Sequence, residues 1–324
     1  MQNSPHRITR RQIVYASAAI VGLLGVALSG AAAELRSATI EAFNHYVRVA
    51  EQQMESSLRA TGPFLWIDSR PESSRKLYYQ QLRSGEFVIR RLDTYDDGRD
   101  IEIPDGMVHH WIGVAYVPGV TLRSAESVLE DYRDYREIYA PQVRRSKISA
   151  RDGDAFHLYL QFFKDSPRRV SYNVNFKVQR VSLSATRIAS TSISTRIAQL
   201  QDPMQTTSAE YPVGQDSGFL WRMNDYWRYE QKDGGVYMQV ETISLSRDVP
   251  PFLGWFVRPM IRRVARETIA GLLEANRRAM QNPQQYAPHA TIIAADSAPA
   301  VGSAPVADSV PAGTAVADPP ASHR

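Results

Sequence analysis

A β-hairpin that leads into a long amphipathic helix is the feature that most constrains the fold of this chain. Two segments rich in aromatic and β-branched residues, 224–229 and 236–242, flank Asp233-Gly234, a strong signal for a two-residue turn. This turn predicts three facing pairs: Tyr229 with Met238, Trp227 with Val240, and Asp225 with Thr242. Alternate positions then share one bulky, apolar face, formed by Trp221, Met223, Trp227, Tyr229, Val236, Met238 and Val240.

The helix that follows the hairpin is the nearest element able to cover this face. Over residues 252–280 the apolar side chains recur every three or four residues, which is typical of one helical face. The predicted apolar line includes Leu253, Phe256, Val257, Met260, Ile261, Val264, Thr268, Ile269, Leu272 and Leu273. One sheet with one long helix across it predicts a two-layer α+β fold.

The strands before the hairpin alternate in the same way. Apolar residues occupy every second position in the segments 156–162 and 170–178. Both apolar sets share a face only if the connection around Ser166-Pro167 contains an odd number of residues, so we predict a five-residue loop over 164–168. Further upstream, the sequence predicts a helix over 43–58, and another that Ser124 caps and Pro141 stops.

This order of elements resembles the START-like, or helix-grip, superfamily, which includes START lipid-transfer domains, the birch-pollen-allergen family and bacterial polyketide cyclases. Four stretches look like an exported bacterial group of START-like proteins without assigned function: His109-His110-Trp111, Gly218-Phe219-Leu220-Trp221, Tyr226-Trp227-Arg228 and 244–250. The resemblance covers about 106–281. It implies a curved antiparallel sheet of about seven strands that grips a long C-terminal helix. Residues 34–105 are an N-terminal helical and strand addition that the resemblance does not explain, and we expect it to pack on this domain.

The two ends of the chain differ in composition from this foldable part. Residues 1–33 contain basic residues, an apolar run and Ala31-Ala32-Ala33, the three parts of a secretory signal of the Sec or twin-arginine type. An uncleaved membrane anchor is the alternative. Residues 282–324 are rich in Ala, Pro and Ser and predict a disordered tail. We therefore expect an exported protein, periplasmic or secreted.

Charge and cysteine content narrow the classes of function. The chain has no cysteine, which excludes a disulfide framework and a lipid-modified cysteine. Its net charge of +4 includes three arginines of the signal, and without them 35 basic residues face 34 acidic ones. Such a balance gives no support for a nucleic-acid partner.

The resemblance implies an apolar cavity between sheet and helix, because one helix does not fill the concave side of a wide sheet. The aromatic and aliphatic residues of the predicted inner face are then either simply core or the wall of a binding site. The residues assigned to ligand binding are Leu160, Phe162, Tyr172, Phe176, Met223, Asp225, Trp227, Tyr229, Met238, Phe256 and Met260.

Asp225 is the one acidic residue on this face. It is either a polar anchor or acid/base inside the cavity, or a carboxylate at the open end that is bonded to Thr242 or an arginine. The serine- and threonine-rich strand 187–197 is either a wet cavity wall or a solvated face, and we favour the solvated face. His109 and His110 are adjacent in a strand and must point to opposite faces. The sequence has no metal-ligand cluster, nucleophile elbow or phosphate loop, so we predict neither metal nor cofactor.

A second surface is predicted at the start of the long helix. Arginines lie four residues apart at 258, 262 and 266, next to exposed aromatic candidates. This combination favours transient contact with a membrane surface, although a solvated helix face is the alternative. The residues assigned to membrane contact are Phe252, Trp255, Arg258, Arg262 and Arg263.

Three hypotheses of function follow. The first is an exported binding or carrier protein for a hydrophobic small molecule or lipid. The second is an enzyme similar to the cyclases and dehydratases, which would use buried polar groups of the same cavity. The third is a structural or partner-binding module with a filled core. The sequence leaves the oligomeric state open.

Overall fold

An eight-stranded antiparallel sheet with helices on both faces is the frame of the molecule. The computed structural model describes residues 33–58, 62–129, 135–152, 155–165, 168–249 and 254–286, without side chains at 56–58, 254, 256, 257 and 286. In chain order the elements are β1 (Ala33–Glu34), α1 (Ser37–Leu58), a 3₁₀ turn (Trp66–Ser69), α2 (Glu72–Arg83), β2 (Val88–Arg91), β3 (Tyr95–Asp96), β4 (Arg99–Asp100), β5 (Gly106–Pro118), α3 (Leu122–Leu129), α4 (Tyr135–Ile138), β6 (Val143–Asp152), β7 (Ala155–Lys164), β8 (Val170–Ser184), β9 (Arg187–Gln199), β10 (Gln215–Asp216), β11 (Arg222–Lys232), β12 (Gly235–Arg247), α5 (Gly254–Gln281) and α6 (Pro283–Tyr286).

The strands of the main sheet lie in the order β2-β5-β12-β11-β9-β8-β7-β6, and each pair is antiparallel. This confirms the α+β fold class, a curved sheet with a C-terminal helix. The sheet has eight strands where about seven were expected, because β2 extends it at the edge next to β5. The small pairs β1/β10 and β3/β4 lie outside this sheet.

The hairpin of β11 and β12 has the register expected from the sequence. Tyr229 faces Met238, and Asp225 faces Thr242. Asp233 and Gly234 both have positive φ, 54° and 74°, as the favoured two-residue hairpin turn requires. Trp221 is a correction: it precedes β11 and packs in the cluster on the opposite side of the sheet, since the alternation of the strand does not extend to it.

The connection between β7 and β8 also confirms the predicted parity. Lys164 pairs with Val170, so the loop is 165–169, five residues long and shifted by one from the expected position. Phe162 consequently faces Tyr172, and Leu158 faces Phe176. The apolar sets of the two strands therefore lie on one face.

Helix α5 lies on the concave face over the β5 edge of the sheet. It contacts β5 and β2 and also α3 and α4. A Cβ atom added to Gly113 of β5 would lie 2.3 Å from Cγ2 of Ile269 and 3.0 Å from Cδ1 of Leu273. Glycine at 113 thus allows the helix to approach the strand more closely than any other residue would.

The convex face is covered by the N-terminal elements. Helix α1 packs Phe43, Tyr46, Val47, Ala50 and Met54 against Trp221, Tyr226, Ile243 and Leu245. Near α2 and the 3₁₀ turn, a further cluster contains Phe64, Leu65, Ile67 and Leu82 together with Val114 and Tyr237 of the sheet. The sheet therefore lies between two helical layers rather than in the two-layer arrangement expected from the sequence.

Two predicted boundaries differ from the structure. Helix α3 begins at Leu122, and Thr121 rather than Ser124 caps it. Oγ1 of Thr121 accepts a hydrogen bond from the backbone N–H of Ser124 at 3.2 Å. The short helix α6 forms at Pro283–Tyr286, within the segment predicted as disordered. The predicted signal peptide, apart from Ala33, and the tail from residue 287 lie outside the described residues.

Candidate functional site

A cavity opens on the concave side of the sheet, beside α5. Eight strands about 4.8 Å apart form a sheet on the order of 35 Å wide, whereas a helix with its side chains is about 10 Å across. Because α5 lies over β5 and β2, it leaves the concave side of β7, β8, β9 and β11 to α3 and α4. These two helices are only eight and four residues long, and a space remains beneath them.

Residues of the sheet, of α3 and α4, and of α5 line this cavity. The lining residues are Glu126, Leu129, Tyr135, Tyr139, Val143, Leu158, Leu160, Phe162, Phe176, Val178, Arg180, Ile188, Ser190, Ser192, Met223, Asp225, Trp227, Tyr229 and Leu272. The wall is mostly apolar, with aromatic rings in contact: the Trp227 and Tyr229 rings stack with centroids 5.8 Å apart. Such a wall suits a hydrophobic guest with few polar groups.

The cavity is narrow. Its empty space is about 870 Å³ when counted to the open mouth, but the centre of a water-sized sphere can reach only about 90 Å³ of it. A guest much larger than a few water molecules would therefore have to widen the space. The core is nevertheless not filled, which disagrees with the hypothesis of a module with a solid interior.

Asp225 provides the buried carboxylate of this cavity. The Thr242 hydroxyl donates a hydrogen bond to Oδ1 at 2.7 Å, and no ion pair of Asp225 is found within the described part of the chain. Burial raises the pKa of Asp225 to about 6, and the hydrogen bond from Thr242 offsets part of this rise. The side chain keeps some exposed surface because it faces the cavity. Asp225 thus satisfies both alternatives from the sequence: it is bonded to Thr242 and it lies in the cavity.

Two serine hydroxyls lie beside this carboxyl group. In the pairing of β9 with β11, Ser192 is opposite Asp225 and Ser190 is opposite Trp227. Both serines line the cavity, and neither side chain makes a hydrogen bond to the rest of the described chain. The preference for a solvated strand face was therefore wrong for these two residues, which form a polar stripe in the cavity wall.

Polar contacts hold the helical cover formed by α3 and α4 in place. Glu126 of α3 forms an ion pair with Arg180 of β8, at the side of the cavity. Tyr139, just after α4, donates a hydrogen bond from its hydroxyl to Oδ1 of Asn276 on α5, at 3.1 Å. The start of α3 is also bonded to β11, where Oε1 of Gln231 accepts a hydrogen bond from the backbone N–H of Leu122 at 2.7 Å.

Seven of the residues assigned to ligand binding line the cavity: Leu160, Phe162, Phe176, Met223, Asp225, Trp227 and Tyr229. Tyr172 and Met238 do not line it, because both are buried within the packed core. Met260 is 40% exposed on the outer side of α5, one position from the buried Ile261. For Phe256 no side chain is described.

The sequence prediction missed the cavity residues of the cover, which lie on α3, on α4 and at Tyr139 just after α4. Leu158 and Val178 follow from the alternation of β7 and β8 and could have been included. Glu126 and Arg180, 54 residues apart, carry no local signal of their pairing. Their contact depends on how α3 crosses the end of the sheet.

The residues assigned to membrane contact lie at the start of α5. Trp255 is 79% exposed, and Arg258 and Arg262 are also exposed. Arg263 forms a surface ion pair with Glu267, with Nε 2.9 Å from Oε1. Phe252 lies outside the described residues.

Other chemistry of the described residues is limited. His109 and His110 point to opposite faces as expected: His109 bonds to Ser246, and His110 lies on the convex side against Glu241 and Tyr46. Glu241 points away from the cavity, towards the side of the sheet where His110 lies. Within the described ranges there is no group of three or more potential metal-binding side chains. None of the described helices has the length and apolar character needed to cross a membrane.

No model of a known protein family matches this chain, and no curated protein matches it. Among solved structures the chain is similar to human STARD10, with 11% identity, coverage of 74% of this chain and 92% of that chain, and a TM-score of 0.41. It is similar to a STAR-related lipid transfer protein from Xanthomonas axonopodis, with 15% identity, coverage of 56% and 96%, and a TM-score of 0.36. It is also similar to the Zhui aromatase/cyclase from Streptomyces, with 15% identity, coverage of 56% and 99%, and a TM-score of 0.36.

Proposed function

We propose that this protein binds a hydrophobic small molecule or lipid in the cavity between the sheet, α5 and the cover of α3 and α4. The observation that carries the proposal is the cavity itself, an apolar wall that the side chains leave unfilled. Each CH₂ group moved from water into such a wall contributes about 0.8 kcal/mol. An alkyl or ring system therefore supplies most of the binding energy, and the protein acts by shielding it from water.

The polar stripe would orient this guest. Asp225 has one carboxyl oxygen engaged by Thr242, and the hydroxyls of Ser190 and Ser192 are open to the cavity. A hydroxyl or other polar end of the ligand can hydrogen-bond there, while the rest of the molecule lies against Trp227 and the other rings. A polar group that remained unpaired beside these side chains would weaken binding.

Binding requires the cover to move, since the present space is narrow. Helices α3 and α4 are the short elements over the cavity, and the Glu126–Arg180 ion pair holds them to the sheet. We propose that this cover opens to admit the guest and closes over it. Export and a brief contact of Trp255 with a membrane surface complete the proposed role as a carrier, in keeping with the signal-like N-terminus and the exposure of this indole.

The proposal is tested with a fluorescent fatty probe and a variant that fills the cavity. Ser192→Leu places a larger apolar side chain in the wall, and Lys177→Leu is the matched control on the exposed, opposite face of β8. We expect Ser192→Leu to weaken probe binding by about tenfold or more and the control to change it by less than about twofold. Thermal unfolding of both variants verifies that they are folded.

Two results would overturn the carrier proposal. One is a wild-type protein that neither retains lipid when isolated from its own envelope fraction, as checked by native mass spectrometry, nor binds any fatty probe. The other is probe binding that Ser192→Leu leaves unchanged, because the probe would then be held elsewhere. Native mass spectrometry also gives the mass of any guest that remains bound.

Asp225 supports a second candidate function, an enzyme similar to cyclases or dehydratases. A carboxyl group with a pKa of about 6 can exchange a proton near neutral pH, and it faces the same cavity. Asp225→Asn separates the two functions. A carrier still binds its guest in this variant, because the asparagine amide can hydrogen-bond to a polar end of the ligand, whereas an enzyme binds its substrate but loses turnover.

A further inference from the structure

A second cavity lies at the other end of the concave side, between the start of α5 and the strands β2 and β5. It is separate from the apolar cavity and shares no lining residue with it. The centre of a water-sized sphere can reach about 170 Å³ of this space. One water molecule requires only about 10–15 Å³ by the same measure, so the cavity can hold a group of several atoms.

The charge of this cavity has one sign. Three guanidinium groups line it, from Arg91 of β2 and from Arg258 and Arg262 of α5, and no carboxylate is among its lining residues. Arg258 and Arg262 lie one helical turn apart, so their side chains project on the same side of α5. Such a pair of planar forks is well suited to the oxygens of a phosphate or carboxylate.

Ion pairs within the chain distinguish Arg258 and Arg262 from Arg91 and Arg263. Arg91 already bonds to Asp93, with Nη2 2.7 Å from Oδ1, and Arg263 bonds to Glu267. For Arg258 and Arg262 the described residues provide no acidic partner. Two adjacent cations over one cavity, without a counter-charge from the chain, favour an anion from outside.

His109 lies at the floor of the cavity. It is only 5% exposed, and its Nε2 lies 2.9 Å from Oγ of Ser246. Its other ring nitrogen, Nδ1, has no partner within the described chain, although the ring lines the cavity. Burial, and to a smaller extent the charge of Arg91, lowers the pKa of His109 to about 4, so the ring is neutral at pH 7 and the arginines supply the positive charge of the cavity.

We propose that this second cavity is a binding site for an oxyanion of the phosphate class, held by Arg258 and Arg262 with Arg91 at its base. This site goes beyond the proposed function, because it uses none of the residues of the apolar cavity. The anion has two possible sources with the same chemistry, free phosphate and the head group of an anionic lipid. The experiment distinguishes them.

The test compares the full chain with Arg258→Gln/Arg262→Gln and, as matched control, Arg263→Gln. In the first arm, titration calorimetry measures the binding of inorganic phosphate at low ionic strength. In the second arm, flotation measures binding to vesicles of phosphatidylcholine with and without phosphatidic acid. The three replaced arginines are exposed on α5, so we expect the variants to fold, and circular dichroism verifies this.

We expect the double variant to lose binding by about tenfold or more in at least one arm, and Arg263→Gln to lose less than about twofold. A selective loss for phosphate identifies a free anion, and a selective loss for phosphatidic acid vesicles identifies a lipid head group. Absence of binding in both arms overturns the proposal. Equal losses in the double variant and in Arg263→Gln also overturn it, because they indicate only general attraction between charges.

Discussion

The hydroxyl of Thr242 donates a 2.7 Å hydrogen bond to Oδ1 of Asp225 across the β11/β12 pair. Within the described residues, this bond is the only contact that lowers the pKa of the Asp225 carboxyl, and burial outweighs it. The cavity of this protein thus contains a carboxyl group whose ionised form is poorly stabilised. Its consequences can be measured without knowing the ligand.

Asp225→Asn is expected to stabilise the protein at neutral pH but not at pH 4. The pKa of Asp225 is about 6 in the folded protein and 3.8 ordinarily, so the folded state binds a proton more tightly than the unfolded state. Stability from this group is therefore present below pH 4 and is lost as the pH rises through 6. A pKa difference of about two units changes the free energy of unfolding by at most about 3 kcal/mol. We expect Asp225→Asn to be more stable than wild type by about 1–2 kcal/mol at pH 7–8.

Urea unfolding of wild type and Asp225→Asn from pH 4 to pH 8 checks this prediction. Asparagine keeps an acceptor for Thr242, so the comparison isolates the charge. The exposed Glu102→Gln is the control and should change the free energy of unfolding by less than about 0.5 kcal/mol at any pH. A gain in Asp225→Asn that does not depend on pH would contradict the assignment.

Glu126→Gln should make the cavity open more readily. It removes the ion pair with Arg180 that connects α3 to β8, and both side chains are half-buried. The loss of such a pair is expected to cost about 1 kcal/mol, which is about fivefold in the rate of opening. Stopped-flow fluorescence should show faster association and dissociation of a fatty probe, with a small change in affinity.

The matched control for this change is Glu72→Gln, which removes the fully surface-exposed pair with Lys76 on α2. Its probe kinetics should equal those of wild type. If Glu126→Gln leaves both rate constants unchanged, α3 is not part of the entrance.

The sequence predicted those parts of the fold that depend on local alternation. The hairpin register and the odd loop between β7 and β8 follow from the side-chain alternation of strands, and both are confirmed. The third layer was not predicted. The stripe that begins at Phe43 indicated a helix, but an amphipathic pattern does not specify which face of a sheet it covers.

The sequence predicted cavity residues that lie on the strands but not those that lie on the cover. Trp227 and Phe162 follow from the strand pattern, whereas Glu126 and Tyr139 reach the cavity through tertiary packing. Met260 was misassigned because an apolar residue at helical spacing indicates a face only to within about one position. The underlying sheet, not the helix, determines which of Met260 and Ile261 is buried.

Gly113→Ala is expected to destabilise the protein by about 1–3 kcal/mol, since the added methyl overlaps Ile269 at the contact of β5 with α5. Ile269→Ala removes the overlapping Cγ2 atom and costs stability by itself. The loss of unfolding free energy in the double variant should be smaller than the sum of the losses in the two single variants, because alanine at 269 leaves room for the added methyl group. Urea unfolding of the four proteins measures this coupling, and strict additivity would show that Gly113 does not set the distance between helix and strand.

His109 gives a pH dependence of opposite sign. Burial and the nearby charge of Arg91 hold its pKa at about 4 in the folded protein, against 6.5 ordinarily, so the unfolded state binds the proton first on acidification. Its contribution is therefore full above pH 6.5 and is lost as the pH falls towards 4. His109→Gln should flatten the fall in unfolding free energy between pH 6.5 and pH 4, by about 1–3 kcal/mol across this range. His157→Gln, on strand β7, is the matched control for the loss of one histidine. A slope equal to that of wild type in His109→Gln would mean that other groups carry the acid sensitivity.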